Sequence, residues 1–508
     1  QTSFYSAVIV VCFALYRLAR RQAAEGRSRI GRSLLAAASL LLGAAWGAAL
    51  AAIQLLPTAE LAAHSQRAGN LTDMTFAYEL SFWPWRLITL LAPDFFGNPA
   101  RGEYWAYGTY WEEAAFVGVL PLLLAALALG AWWRKRKQRA GGPRALVPFL
   151  ALLCLVSILL AMGDGTPLYP LLFRYVPGFG LFQAPARLII GYALGIALLA
   201  GIGADTVRST TRPAPGLAPR ARTILRVVLI VGIGVGLAAL VALLALPEIQ
   251  DSFSSSMLRL GVSLALASGV LLLRGRRFRG RRWQALVITT VAVDLLLFGW
   301  GFAPGTDPEI YHSPVATAGF LETQPPGRVH VDGGYADEVY DQYVSLSAFG
   351  SSDTVYLQGL RESLLPNLNS VHHLPGTGNY DPLTIGAYDD LYALLEGEAD
   401  AQPDLEASLP LLNLFGARYL VTDRELDLPQ LYGKGPYIYA NEGALPAAYV
   451  VHQVRVVEDV QQRLEVLQDP AFDPRAEVIL SHPPASIPAQ DVGVGRDELA
   501  SVLREGQD

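Results

Sequence analysis

Basic side chains in this chain gather in every second loop between apolar runs. Residues 17–32 hold six arginines, residues 134–144 six lysines and arginines, residues 208–226 five arginines and residues 274–282 six. These are 23 of the 39 Lys and Arg residues, and the loops alternating with them hold almost none. Short loops rich in Lys and Arg stay on the cytoplasmic side of a membrane. A bilayer core of about 30 Å takes about 20 apolar residues in helical form. Eight segments fit: roughly 2–17, 33–55, 113–133, 145–162, 186–206, 223–246, 257–273 and 283–301. Alternation then puts the N-terminus and everything after Trp300 on the outer side. The expected fold class is an α-helical polytopic membrane domain of about eight helices, residues 1–301, followed by an extracytoplasmic mixed α/β domain, residues 302–508.

Charge divides the chain at the same place. Residues 1–301 contain 29 basic and 13 acidic side chains, and residues 302–508 contain 10 and 32. The net charge of −6 is therefore the sum of two unlike halves and does not describe a surface. Nucleic acid is not an expected partner, because the basic residues sit in short loops at membrane ends rather than along a groove. Cys12 and Cys154 lie inside apolar runs, so neither reads as a disulfide partner or metal ligand. The chain begins at Gln1 and enters an apolar run at once, which reads as part of a longer open reading frame or a processed chain.

Three outer connections follow from the topology: a long aromatic-rich loop over 56–112, a Gly/Pro-punctuated loop over 163–185 and a short polar loop over 247–256. Long structured loops on a rigid scaffold are where function concentrates. In the outer domain, strand-like runs cover 328–332, 417–422, 437–439, 448–457 and 477–480. Helix-like runs cover 314–322, 389–395, 409–415 and 460–467.

Several stretches resemble the bacterial YfhO-like membrane proteins of the broad GT-C class of glycosyltransferases. They are Gln54-Leu-Leu-Pro-Thr-Ala-Glu60 with Ser65-Gln-Arg67, Pro84-Trp-Arg86 running to Ala92-Pro-Asp94, and Val176-Pro-Gly-Phe-Gly180 with Ala184-Pro-Ala-Arg187. In the outer domain they are Asn379-Tyr-Asp-Pro-Leu383, the run from Leu411 to Asp423, and Tyr439-Ala-Asn-Glu-Gly-Ala-Leu-Pro446. The resemblance implies an integral membrane enzyme that moves a sugar from a polyprenyl-phosphate carrier to a cell-envelope glycopolymer on the outer face. Membrane lipid, the carrier and the polymer would be its partners. The chain departs from that family in lacking its opening helices and first outer loop, where such enzymes keep an acidic catalytic residue. It also has Gln183 where an arginine is common, and it stops before the expected terminal β-rich portion.

Such a reaction needs a cation for the phosphate and a carboxylate to activate the acceptor hydroxyl. Six basic residues of the first half lie outside the basic loops: Arg67, Arg86, Arg101, Arg174, Arg187 and Arg259. Arg187 follows Pro185 at the outer start of a helix, where free backbone N–H groups also favour an anion; the competing reading is an interfacial arginine reaching for headgroups. His64 and Arg67 would share a face if 58–67 is helical. Asp94 is the best-placed carboxylate for general-base work, although an Asp after Pro93 also suits a plain turn. Glu112 and Glu113 open the third helix, where they suit its positive end without catalysis. Trp83 and Trp85 suit either sugar stacking or an interfacial belt, and with Arg86 they read as a short amphipathic helix lying in the interface.

Asp294 falls inside the last apolar run, where it should be paired or face a polar cavity, and interhelical bonding is the favoured reading. The neighbouring His372 and His373 lack the surrounding ligands of a metal site, so no metal is expected, and no cofactor is assigned. The rival to an enzyme is a non-enzymatic lipid-linked-sugar transporter or envelope assembly factor, with Asp294 and Arg187 lining a path. A third reading makes the outer domain a polymer-binding module.

Overall fold

The structure is a computed structural model. It describes residues 2–25, 30–70, 74–106, 108–135, 142–176, 179, 183–208, 218–245, 251–274, 280–303, 305–343, 354–381, 383–396, 404–469 and 471–483. Parts of all four basic loops, and residues 177, 178, 180 and 382 of the family-like motifs, lie outside them. The chain divides into two compact units, one of Gln1–Pro57 and Gly69–Pro304, the other of Thr58–Ala68, Gly305–Ser345 and Gly350–Asp508.

In the first unit, six helices among the described residues are long and apolar enough to cross a membrane. They are Ser3–Arg20, Gly142–Ala161, Pro185–Val207, Pro219–Ala245, Ser252–Leu272 and Arg281–Gly299. The other two expected spans take different forms. The 33–55 segment continues into a bent pair, Ala37–Leu50 and Ala52–Ala63, turned by 74°. Pro57 lies inside the second member; its ring crowds the carbonyl four residues earlier and it donates no hydrogen bond, which weakens the helix near the break. The 113–133 segment is not one helix. Tyr110–Glu113 forms a separate turn, extended chain follows, and the long helix is Val119–Lys135, 17 residues. At 1.5 Å per residue it covers about 25 Å. The 247–256 loop is also shorter than expected, because helix Asp251–Leu272 starts inside it.

Helices Val119–Lys135, Val147–Ala161 and Ile190–Arg208 share one core, with Val147, Leu150, Tyr192 and Leu199 at its centre. A second core joins Leu120, Leu124, Leu225, Leu271 and Trp283. Helices Pro219–Ala245 and Asp251–Leu272 approach most closely at Gly232, Gly236 and Gly261, where a Cβ on Gly261 would run into the facing backbone. Small residues at such crossings let the two backbones approach closely and pack by dispersion. The outer faces of these helices are apolar instead, with Leu155, Ile230, Leu244 and Leu296 exposed.

The second unit is built on a four-stranded sheet of order β1-β2-β4-β3. Strand β1 (Arg328–Val331) is parallel to β2 (Ala417–Thr422), β4 (Tyr437–Ala440) is antiparallel to β2, and β3 (Gln430–Tyr432) is antiparallel to β4. A separate parallel pair, β5 (Gln453–Val456) and β6 (Glu477–Leu480), is joined by helix Val460–Gln468. The strand expected over 448–457 thus shortens to the four residues that β6 can pair. Asp459 caps the crossover helix, accepting from the Gln462 N–H at 2.9 Å. Val421, Ile438 and Leu420 are fully buried in the sheet core. Helices Ala316–Glu322, Gly386–Glu396 and Leu409–Leu414 lie near expected runs, and the unit also holds Gly333–Tyr343 and Thr354–Glu362, which polar composition hides from a sequence reading.

Candidate functional site

The aromatic loop of the first unit folds back on itself. Pro84 starts a 3-10 turn, Pro84–Leu90, with its fixed φ and no donor to lose. The turn aims Arg86 inward. Its Nη1 lies 2.8 Å from Glu113 Oε2 and its Nη2 donates to the Tyr104 hydroxyl at 2.5 Å. The guanidinium stands over the Phe96 and Tyr104 rings at 5.2 and 5.4 Å. Both members of this ion pair are buried. Burial pushes the Glu113 carboxyl up to about 7, with the Arg86 charge pulling the other way. Arg86, Phe96, Tyr104, Tyr110, Glu113 and Phe298 line a cavity of about 10 Å³, roughly the space of one water.

Asp94 sits in an adjoining network. Its Oδ1 accepts from the Tyr110 hydroxyl at 2.6 Å and from Asn98 Nδ2 at 3.0 Å, and Arg259 Nη1 lies 3.8 Å from its Oδ2. Burial and the Asp94 charge raise the Tyr110 phenol well above its ordinary value. The Tyr104 and Tyr110 rings meet edge to face at 5.8 Å and join the two networks. Arg259 also donates to the Asp294 backbone carbonyl at 2.9 Å and stands over Phe116 and Phe298.

Asp294 holds three elements together. Its Oδ1 accepts from Ser263 at 2.8 Å and its Oδ2 from the Val119 N–H at 3.1 Å. Gly118, at φ +88°, makes the turn that presents this N–H. The first-turn donor of helix Val119–Lys135 is therefore met by Asp294, not by Glu112 or Glu113 as the sequence suggests. Those two carboxylates sit in their own turn and pair with arginines.

Arg187 lies in the 3-10 turn Pro185–Ile189 that leads into its helix. Its Nε donates to Glu112 Oε2 at 2.6 Å and its Nη2 pairs with Glu112 Oε1, a two-point fork. The arginine is 46 % exposed and the carboxylate 13 %. Gln183, four positions before it, donates to Glu79.

Of the residues singled out in the sequence, Arg86 and Asp94 come together in the buried networks. Trp83 and Trp85 flank Arg86, stacked on each other at 5.1 Å and 10°. The expected amphipathic helix is turned over, since Arg86 faces inward and Trp85 outward. His64 and Arg67 belong to the second unit. The helix expected over 58–67 stops at Ala63, and a new turn starts at Arg67. The break comes where Ser65 pairs with Ile385 and the Gln66 N–H donates to Thr384 O at 3.1 Å, which takes the backbone out of helical bonding. The His64 carbonyl accepts from Gly386 at 2.8 Å. Among the described residues no group of three or more His, Cys, Asp or Glu side chains is placed to hold a metal.

Tyr104 and Tyr110 escape a sequence reading, and Glu113, expected only to suit the start of a helix, instead pairs with Arg86. Arg259 carries a usable signal, a lone cation in an apolar helix, with Asp294 as its counterpart on another helix. Comparison with protein-family models, curated proteins and solved structures finds no match to this chain.

Proposed function

We propose that the chain is a multi-pass protein of a bacterial cell membrane, with residues 302–508 outside the cytoplasm, and that it transfers a sugar from a polyprenyl-phosphate carrier to an envelope glycopolymer. The observation that carries the reading is the pairing of two arginine–carboxylate sites through neighbouring residues. Glu112 binds half-exposed Arg187, and Glu113 binds buried Arg86 beside a water-sized cavity. Arg187, half-exposed at the start of an apolar helix, would hold a carrier phosphate by exchanging its Glu112 partner for the phosphate oxygens. Glu113, titrating near neutrality, suits a general base. In the transfer step the acceptor oxygen bonds to the anomeric carbon as its proton passes to Glu113 by way of one water in the adjoining cavity. The carbon–oxygen bond to phosphate breaks, and the phosphate leaves with the electron pair, held by Arg187. Asp94, engaged by Tyr110, Asn98 and Arg259, would set the shape of the loop that carries these groups.

The transporter alternative draws on Asp294 as a path residue. Both Asp294 carboxylate oxygens are engaged by Ser263 and the Val119 N–H, which supports a structural role for Asp294 rather than a path role. The test uses the full-length parent protein in lipid, labelled polyprenyl-phosphate sugars and envelope-polymer acceptors. Loss of transfer in both Glu113→Gln and Arg187→Ala, with folding retained, is the expected result. Carrier binding without transfer to any acceptor would favour transport or assembly instead.

A further inference from the structure

In the Pro84–Leu90 turn the usual division of a surface element is reversed. Its charged residue, Arg86, points inward at 2 % exposure, and Trp85, Leu87 and the following Leu91 point outward at 57 %, 39 % and 39 %. The Tyr110–Glu113 turn repeats the pattern, with Glu113 inside at 4 % and Trp111 outside at 41 %. Facing water, such a surface is unfavourable twice over, because it buries an ion pair and exposes large apolar groups. Facing hydrocarbon it is favourable on both counts, since charges must turn inward and apolar side chains outward.

The two turns are also tied to the ends of apolar helices. The Phe82 N–H donates to the Ala161 carbonyl at 2.8 Å, at the end of Val147–Ala161. Glu112 holds Arg187, at the start of the run that leads into Ile190–Arg208. Those helices themselves expose Leu152 and Leu155, and Ile190, Leu194 and Leu198. The loop therefore continues, at the helix ends, an apolar surface that the helices already present.

We propose that Pro84–Leu90 and Tyr110–Glu113 sit against the bilayer itself, at the boundary of headgroups and acyl chains, with lipid as the partner of Trp85, Leu87, Leu91 and Trp111. The inference rests on the reading of the long apolar helices as membrane spans. It adds a route to the proposed site: a carrier headgroup reaches Arg187 sideways from the lipid rather than from water.

Spin labels test the placement in the full chain, with Cys12→Ser, reconstituted in phosphatidylethanolamine and phosphatidylglycerol bilayers. Leu87→Cys and Leu91→Cys carry the label in turn, and Leu296→Cys, on the exposed face of the last apolar helix, is the reference. Collisions with dissolved oxygen report lipid, and collisions with a water-soluble nickel chelate report solvent. Oxygen-favouring labels at 87 and 91, approaching the Leu296 value, are expected. Chelate-favouring labels there, beside an oxygen-favouring Leu296 label, overturn the placement and leave the membrane reading standing. Chelate-favouring labels at all three sites overturn both. Labels at 87 and 91 shielded from both reagents mean that protein covers the patch, which also overturns the placement.

Discussion

Arg86 and Glu113 meet at 2.8 Å with almost no surface left to water, one at the third position of a proline-started turn and the other at the end of a separate turn. Removing one partner leaves the other as an uncompensated buried charge, which costs about 3–5 kcal/mol. Arg86→Met is therefore expected to lower stability by that order, and Arg86→Met with Glu113→Leu by clearly less than the sum of the two single changes. A double-mutant cycle of unfolding in detergent or lipid measures the coupling.

The same pair predicts a pH profile. The folded-state Glu113 carboxyl is raised to about 7 from an ordinary value near 4.5. A raised carboxyl contributes stability below its unfolded value and loses it as pH rises through about 7, where it ionises in the fold. On the proposed reading activity runs the other way, because the base form of Glu113 is the ionised one. Transfer should rise with pH along a limb centred near 7, and Arg86→Gln, which removes the charge that favours the ionised carboxylate, should move that limb to higher pH. Initial rates between about pH 5.5 and 8.5, a window spanning both ends of the limb, decide it.

Replacing Arg187 with lysine keeps the charge and removes the fork. The expected outcome is a raised KM for the carrier with kcat less affected, since a point charge still holds phosphate but orients it poorly. An unchanged KM would remove Arg187 from the carrier site.

Asp294→Ala removes an acceptor that serves Ser263 and the Val119 N–H together. A lost cap costs about 0.5–2 kcal/mol, so a lower melting temperature is expected with transfer retained in the folded fraction. Asp294→Asn, which still offers an oxygen, should lose less. Thermal unfolding of both variants beside transfer assays separates the structural role from a proton-path role.

In the second unit His330 is buried, with Nδ1 2.9 Å from the Thr377 hydroxyl, and burial pushes it down to about 4 while Asp332 opposes the shift. A lowered histidine contributes stability above its unfolded value and loses it as pH falls through the folded one. Between about 6.5 and 4 the unit should lose on the order of 3 kcal/mol from this group. His330→Gln should flatten that part of the stability profile, measured by denaturant unfolding as a function of pH.

Segments whose fate depends on apolar length were readable from the sequence, as with Pro219–Ala245 and Arg281–Gly299. So were strands with a dense apolar pattern, such as Ala417–Thr422. What failed depended on distant partners. The 113–133 run holds enough apolar residues for a span, and nothing local says that its helix starts only at Val119, where Asp294 waits. His64 and Arg67 have helical spacing, but pairing with Thr384 and Ile385 breaks the helix between them. Arg86 and Asp94 were visible as chemistry in an aromatic loop. Glu113 was visible only as an acid at a helix start, because its pairing comes from the inward turn of an arginine 27 positions earlier.

The bond between Asp294 and the Val119 N–H spans 175 positions of sequence. During synthesis the helix that starts at Val119 is made long before its counterpart exists, so its leading amide at first has no acceptor from the last helix. At 17 residues that helix is also shorter than the about 20 that a bilayer core takes. Its final position is thus settled late, when the last helix arrives with its carboxylate. Truncation before Asp294 would leave this helix without its cap, and the loop bearing Glu113, which runs directly into it, would keep only its arginine partners.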